Sequence, residues 1–191
     1  MPESAMTLLL LNLAFIGLLP RIFFRRGRLT PMWWLTAAPF FLCAALLLLA
    51  YRGLLSPWAG GSVWIATARQ VVAVALSAGS IALIAFTLGT HQRPLNLWHQ
   101  KEDAPQHLVT GGAYHRIRHP FYAAFLLALL ATLTLAPHAG TLAIFAWGLV
   151  QITRTAAKEE KTLQASSLGE QYQRYMRGTG RFLPRWRRVA A

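Results

Sequence analysis

Four stretches of the chain contain no Asp, Glu, Lys or Arg: Ser4–Pro20, Leu29–Tyr51, Gln70–Gln92 and Pro120–Thr153. About 20 residues of helix cross the roughly 30 Å hydrocarbon layer of a bilayer. Leu29–Tyr51 and Gln70–Gln92 each meet that length. The first apolar run, Ala5–Leu19, is slightly short, but it lacks a basic leader and ends on Pro20-Arg21 rather than on a small-residue cleavage site, so it reads as a retained span. Phe121–Thr153 is too long for one span, and Pro137-His138-Ala139-Gly140 interrupts it with turn residues, which predicts a tight helical hairpin. Five spans result. The uncharged segment between the second and third is broken by Pro57, Gly60 and Gly61, and its Trp58 and Trp64 suit an interfacial loop.

The last span does not stop at the lipid. Gln151–Leu168 has no Pro or Gly and is rich in good helix formers, so the helix is expected to continue into water until Gly169. EQYQRYMR then predicts a short helix ending at Gly178, and RFLPRWRR interleaves Phe182 and Trp186 with arginines as a headgroup-facing tail does. The expected fold is all-α: a polytopic membrane helical bundle of about five transmembrane helices with a cytoplasmic C-terminal helical cap. Residues 1–68 would supply the first two helices and the outer loop. Residues 69–191 would form a core of helix 3, an elbow loop, the hairpin of helices 4 and 5, and the cap.

Composition supports the membrane class: 55% of residues are hydrophobic and 13% are charged, about half the charged fraction of soluble domains. Of the 19 Lys and Arg residues, only Arg52 and Arg69 fall on one side of the predicted spans. That asymmetry places the N-terminus outside and the C-terminus, with any polar chemistry, in the cytoplasm. Crowding of the cations between apolar runs argues against a nucleic-acid partner, which needs them displayed over a soluble face. Cys43 is the single cysteine, so no disulfide framework or cysteine metal site is expected. Five of six histidines lie between His91 and His119, but there is no His-His pair, and Pro120 breaks the helical register that His115 and His119 would need to share a metal. No metal is expected.

The densest polar cluster is HLVTGGAYHRIRHPFY, residues 107–122. Gly111-Gly112 permits a positive φ, and Pro120 pushes His119 out of helical conformation, placing Arg118 and His119 on an elbow at the membrane surface. Ionisable residues in such a place mark function. The hairpin returns Glu159-Glu160 to the side where His119 stands. Adjacent helical residues point about 100° apart, so one acid is expected to meet the elbow and the other, taken as Glu160, to face water or pair with Lys158 or Lys161.

Leu108-Val109-Thr110-x-Gly112-x-Tyr114, Arg118-His119-Pro120-x-Tyr122, Glu159-Glu160-x-x-Leu163, Gly169-x-x-Tyr172-x-x-Tyr175 and Phe182-x-Pro184 follow one another in order. This C-terminal half resembles the isoprenylcysteine carboxyl methyltransferase and phospholipid methyltransferase superfamily. The resemblance implies S-adenosyl-L-methionine as cofactor and a lipophilic small-molecule or lipid acceptor entering from the bilayer. It also implies cofactor contacts at Gln106, His107, Leu108, Val109, Tyr114, His119, Pro120, Tyr122 and Glu159, with His99 or Gln100 as a weaker addition. Glu159 would hold the cofactor's ammonium and a His119 ring N–H its carboxylate. Relatives commonly show Arg-x-x-x-Glu-Glu, whereas this chain has Thr155 at that position and Arg154 one residue earlier. The acceptor-orienting role therefore falls to Arg118 first and Arg154 second. Two other readings are an NADPH-dependent membrane reductase of the sterol reductase type, whose Arg-Asp-Glu-x-x-Cys-like stretch is not reproduced at Lys158–Leu163, and a non-enzymatic membrane protein that keeps the fold.

Overall fold

The computed structural model describes residues 3–19, 24–25, 28–29, 31–56, 58, 62–90 and 108–185. They form six α-helices: α1 (Glu3–Leu18), α2 (Pro31–Tyr51), α3 (Val63–Thr90), α4 (Pro120–Leu135), α5 (Ala139–Gln164) and α6 (Gly169–Gly178). A 3-10 turn spans Gly112–His115. The only ladder among the described residues is a two-residue antiparallel pair, β1 (Phe24–Arg25) with β2 (Arg28–Leu29), closing the basic connection after α1.

Two boundaries differ from expectation. α3 begins at Val63 rather than Gln70, so half of the expected interfacial loop is helical and the residue 68/69 boundary falls inside α3. After Gly61 nothing breaks a helix, and Ile65 and Ala66 donate to the Ser62 carbonyl at 3.0 and 3.2 Å to start one; Arg69 limits the charge-free run, not the helix. α5 ends at Gln164 rather than running to Gly169. There Ser166 folds its hydroxyl onto the Leu163 carbonyl at 2.7 Å and accepts from Leu168 N at 3.2 Å, a local bond that competes with helix continuation. Gly169 opens α6 instead of stopping α5, because a Cβ there would run into the Gln164 carbonyl.

α3 is 28 residues long and contains an 18-residue stretch of mean hydropathy 2.3, and among the described residues it is the helix long and apolar enough to cross a membrane. Glu3–Leu18, Ala37–Tyr51 and Pro120–Leu135 are shorter apolar helices. Along α3 the buried residues are Ala73, Ser77, Ser80, Ile84 and Thr87. Their spacing of four and three makes one stripe of mostly small side chains, which lets helix backbones approach closely. Val71, Val72, Phe86 and Leu88 are exposed on the same helix, apolar surface that water does not favour.

The chain forms two compact units, Met1–Ile81 with Phe125–Leu149, and Ala82–Ala124 with Val150–Ala191. In the first, α1 buries Leu9, Leu13 and Ile16 while Leu11, Phe15 and Leu18 stay exposed. Asn12 is buried there and donates to Ser77 Oγ at 3.1 Å. The predicted hairpin turn lies at 136–138, where His138 Nδ1 accepts from Gly140 N at 3.0 Å and Thr141 Oγ1 donates to the Ala136 carbonyl at 2.8 Å, capping the start of α5. The second unit holds the elbow and the acid pair.

Candidate active site

The elbow is built by backbone pairing. Gly112 takes φ +55°, a conformation glycine adopts without cost, and a Cβ there would also strike the Thr90 side chain. Thr90 Oγ1 accepts from Ala113 N at 3.2 Å, tying the turn to the end of α3. Beyond the turn, Ile117 pairs with Gly180 in a parallel bridge. Arg118 N donates to the Gly180 carbonyl at 2.8 Å, His119 N to the Arg181 carbonyl at 3.0 Å, and Gly180 N to the Arg116 carbonyl at 3.1 Å. Gly180 has no alternative, since a Cβ would collide with the Leu183 carbonyl. α6 is fastened to the turn by Tyr175 Oη, which donates to the Tyr114 carbonyl at 2.6 Å. Pro120, whose missing N–H is not needed in a first turn, opens α4 and leaves His119 outside the helix, as the sequence predicts.

His119 stands between the two acids of α5. Its Nε2 lies 3.3 Å from Glu160 Oε1 and its Nδ1 3.5 Å from Glu159 Oε2. A ring with nitrogens on two edges can meet both side chains of an adjacent pair, which the 100° offset alone does not suggest. Glu160 is therefore not turned to water: it is 2% exposed, and the expectation that it faces away is overturned. It accepts from Arg118 Nε at 3.0 Å and from Arg181 Nε and Nη2 at 3.1 and 2.5 Å. Arg118 also gives Nη1 to the carbonyls of Met176, at 3.3 Å, and Thr179, capping the C-terminal end of α6. Its side chain is 9% exposed.

Glu159 has different company. Tyr122 Oη donates to its Oε1 at 2.7 Å, and the Tyr122 ring stacks on His119 at 5.3 Å and 13°. Phe182 closes against His119 at 6.2 Å. A third of the Glu159 side chain, 33%, remains exposed. Both guanidiniums bind Glu160.

These contacts divide the titration behaviour. Burial pushes Glu160 up, but the hydrogen bonds and charges of Arg181 and Arg118 outweigh it and hold the carboxyl below its usual range. Burial pushes His119 down to about 4 against the opposing pull of Glu160, so the ring is neutral near pH 7. Glu159 is pushed up to about 7 by burial, with the Glu160 charge adding and the Tyr122 hydroxyl opposing. Tyr114 is raised by burial, then by Tyr175 and Glu159.

Of the residues expected to bind cofactor, Tyr114, His119, Pro120, Tyr122 and Glu159 come together. Leu108 is half-buried and Val109 exposed on the segment entering the turn. Gln106 and His107, with His99 and Gln100, lie outside the described residues. Arg154 is exposed on α5. Sequence reasoning missed Arg181, read as one more tail cation, and the two bonds of Arg118 to the end of α6. A separate cleft of about 320 Å³, lined by His115, Arg116, Arg185, Thr110 and Thr179 among others, shares no side chain with the His119–Glu159 pair.

Residues 96–165 match the model of the isoprenylcysteine carboxyl methyltransferase (ICMT) family. No curated protein and no solved structure matches the chain. The matched stretch holds the 3-10 turn, the elbow, α4 and α5 with both acids, and it ends before α6 and Arg181. The segment that carries the candidate site is thus similar to the isoprenylcysteine carboxyl methyltransferase family, a methyltransferase family, in keeping with the ordered motifs from Leu108 to Glu160.

Proposed function

We propose that this protein is an integral membrane, S-adenosyl-L-methionine-dependent methyltransferase that methylates a lipophilic acceptor, with O-methylation of an isoprenylcysteine-like carboxylate as the reaction. The observation that carries the reading is the meeting of His119, Tyr122 and Glu159 within the family segment. The five apolar runs would be five spans, with the N-terminus outside and the site and C-terminus in the cytoplasm, following the positive-inside rule.

The residues fit the cofactor. Its amino-acid end carries an ammonium, and Glu159 Oε2 with His119 Nδ1 offers two acceptors 3.5 Å apart. Tyr114, Tyr122 and Phe182 supply aromatic faces for adenine and for the sulfonium. When bound, the cofactor supplies an electrophilic methyl group. The chain's task is to hold it in line with the acceptor and to keep water out, because a transfer that cancels opposite charges is favoured in a dry site. No covalent nucleophile is required.

Two roles shift from the sequence expectation. The ring N–H assigned to the cofactor's carboxylate is committed to Glu160 when Nε2 carries it. Arg118, with its donors on Glu160, Met176 and Thr179, acts as a positioning residue. Arg154, exposed on the part of α5 that leaves the lipid, becomes the cation for the acceptor's anion. Thr155 stands where relatives commonly carry an arginine, and Arg154 is one residue away.

The test is ligand-dependent melting of the detergent-purified protein, followed by transfer of labelled methyl to a membrane lipid extract. S-adenosylhomocysteine should raise the melting temperature and NADPH should not. Stabilisation by NADPH alone would replace the methyltransferase reading with a reductase.

A further inference from the structure

We propose that His119 Nδ1 and Glu159 Oε2 form an exchange site, which holds one proton in the ligand-free protein and the cofactor's ammonium in the complex, so that binding expels a proton from Glu159. The inference rests on the methyltransferase reading for the identity of the cation, and on the geometry of the elbow for the rest.

The argument begins at Glu160. Two guanidiniums and a backbone-fixed elbow surround it, so it is ionised and can only accept hydrogen bonds. His119 Nε2, 3.3 Å from Glu160 Oε1, must then carry the ring's hydrogen. An imidazolium is opposed by burial, which with the Arg118 and Arg181 charges outweighs the pull of Glu160. The neutral ring therefore presents a bare lone pair at Nδ1 toward Glu159 Oε2 at 3.5 Å. Two acceptors facing each other repel unless a hydrogen lies between them. Tyr122 already donates to Oε1, and Oε2 is left to carry the proton.

The groups around Glu159 favour that arrangement. Tyr122 comes from α4, Tyr114 from the 3-10 turn and Tyr172 from α6, and burial raises Tyr114 and Tyr172. Glu160 on α5 is the neighbouring negative charge, with Arg118 and Arg181 drawn onto it. Lys158 and Lys161, on the same helix, are exposed. A protonated Glu159 accordingly agrees with its upward shift to about 7.

An ammonium brings three N–H donors. It can satisfy Nδ1 and an ionised Oε2 together, which a single proton also does, and the two occupants exclude each other. The proton leaves Glu159 for solvent, and the ammonium keeps its own.

Isothermal titration of the full-length protein with S-adenosylhomocysteine, in two buffers of different ionisation enthalpy, counts the protons. At pH 6 about 0.9 proton should be released, falling to about a quarter at pH 7.5, and affinity should rise several-fold over that interval. Glu159→Gln should abolish the release, and S-adenosylhomocysteine lacking its amino group should bind wild type without it. Heats independent of buffer at pH 6, or proton uptake, would overturn the exchange. Difference infrared spectra of ligand-free wild type against Glu159→Gln supply a ligand-independent reading: a protonated-carboxyl band at pH 6 that titrates near pH 7 supports the site, and its absence overturns it. If S-adenosylhomocysteine fails to bind, the methyltransferase reading falls and the infrared band alone decides whether Glu159 holds the proton.

Discussion

Glu159 and Glu160 are neighbours in sequence, yet the two faces of His119 that they occupy differ in kind. On the Glu160 face both carboxylate oxygens meet donors, from Arg118, Arg181 and His119, and the carboxylate is sealed from water. On the Glu159 face one tyrosine donates, a third of the side chain is open, and the nearest nitrogen is an acceptor. A saturated buried carboxylate builds structure, whereas an under-satisfied one beside an opening is available for a ligand. The comparison separates construction from binding within one dipeptide.

The harshest way to break that division is to remove a partner from the saturated face. Arg118→Met leaves the α6 carbonyls of Met176 and Thr179 without this donor and Glu160 with Arg181 as its remaining guanidinium, beside His119. Uncoupling a buried pair costs on the order of 3–5 kcal/mol, so the melting temperature should fall by several degrees, with loss of cofactor affinity only as a secondary effect. An unchanged melt would mean that Arg118 is held for a ligand instead.

The pH dependence sharpens the same contrast. His119 has a folded value of about 4 against 6.5 unfolded, so its neutral form contributes stability that is complete above pH 6.5 and is lost as pH falls toward 4. Glu160, held below its usual range, keeps its contribution until pH falls further. Glu159 has the opposite sign: raised to about 7, its protonated form contributes stability below the ordinary carboxylate range that is lost as pH rises through 7. Ligand-free melting should therefore peak between about pH 5 and 6, where the gain from His119 and the loss from Glu159 balance, and His119→Gln should flatten the acid limb. A melt that rises steadily to pH 9 would contradict the shift assigned to Glu159.

The smallest effect is expected at Arg154. The side chain is exposed on α5, so Arg154→Gln should leave melting and S-adenosylhomocysteine affinity within error while lowering the methyl-transfer rate. A loss of cofactor affinity there would move Arg154 into the cofactor site.

Much of this was legible in the residues because it depends on local chemistry. Charge-free runs located α1, α2, α4 and the start of α5 to within a few residues, Pro137-His138 placed the hairpin turn, and Gly111-Gly112 announced a positive φ that Gly112 adopts. Charge was a poor guide to where α3 starts, since Arg69 marks a limit of apolarity and a helix runs through it. The orientation of the acid pair was not legible, because it depends on what stands between the two side chains. The role of Arg181 was hidden for a similar reason: its carbonyl and Gly180 pair with residues more than 60 positions earlier, and no periodicity records a parallel bridge of that kind.

The central claim, that Glu159 binds and Glu160 builds, is tested most directly by melting Glu159→Gln and Glu160→Gln side by side at pH 7.5, with and without S-adenosylhomocysteine. Glu159→Gln should melt at or above wild type without ligand and lose most of the ligand-induced shift. Glu160→Gln should melt several degrees lower without ligand, because two arginines lose their counter-charge, and retain part of the shift. Equal losses of stability and of ligand response in the two variants would contradict the division of roles.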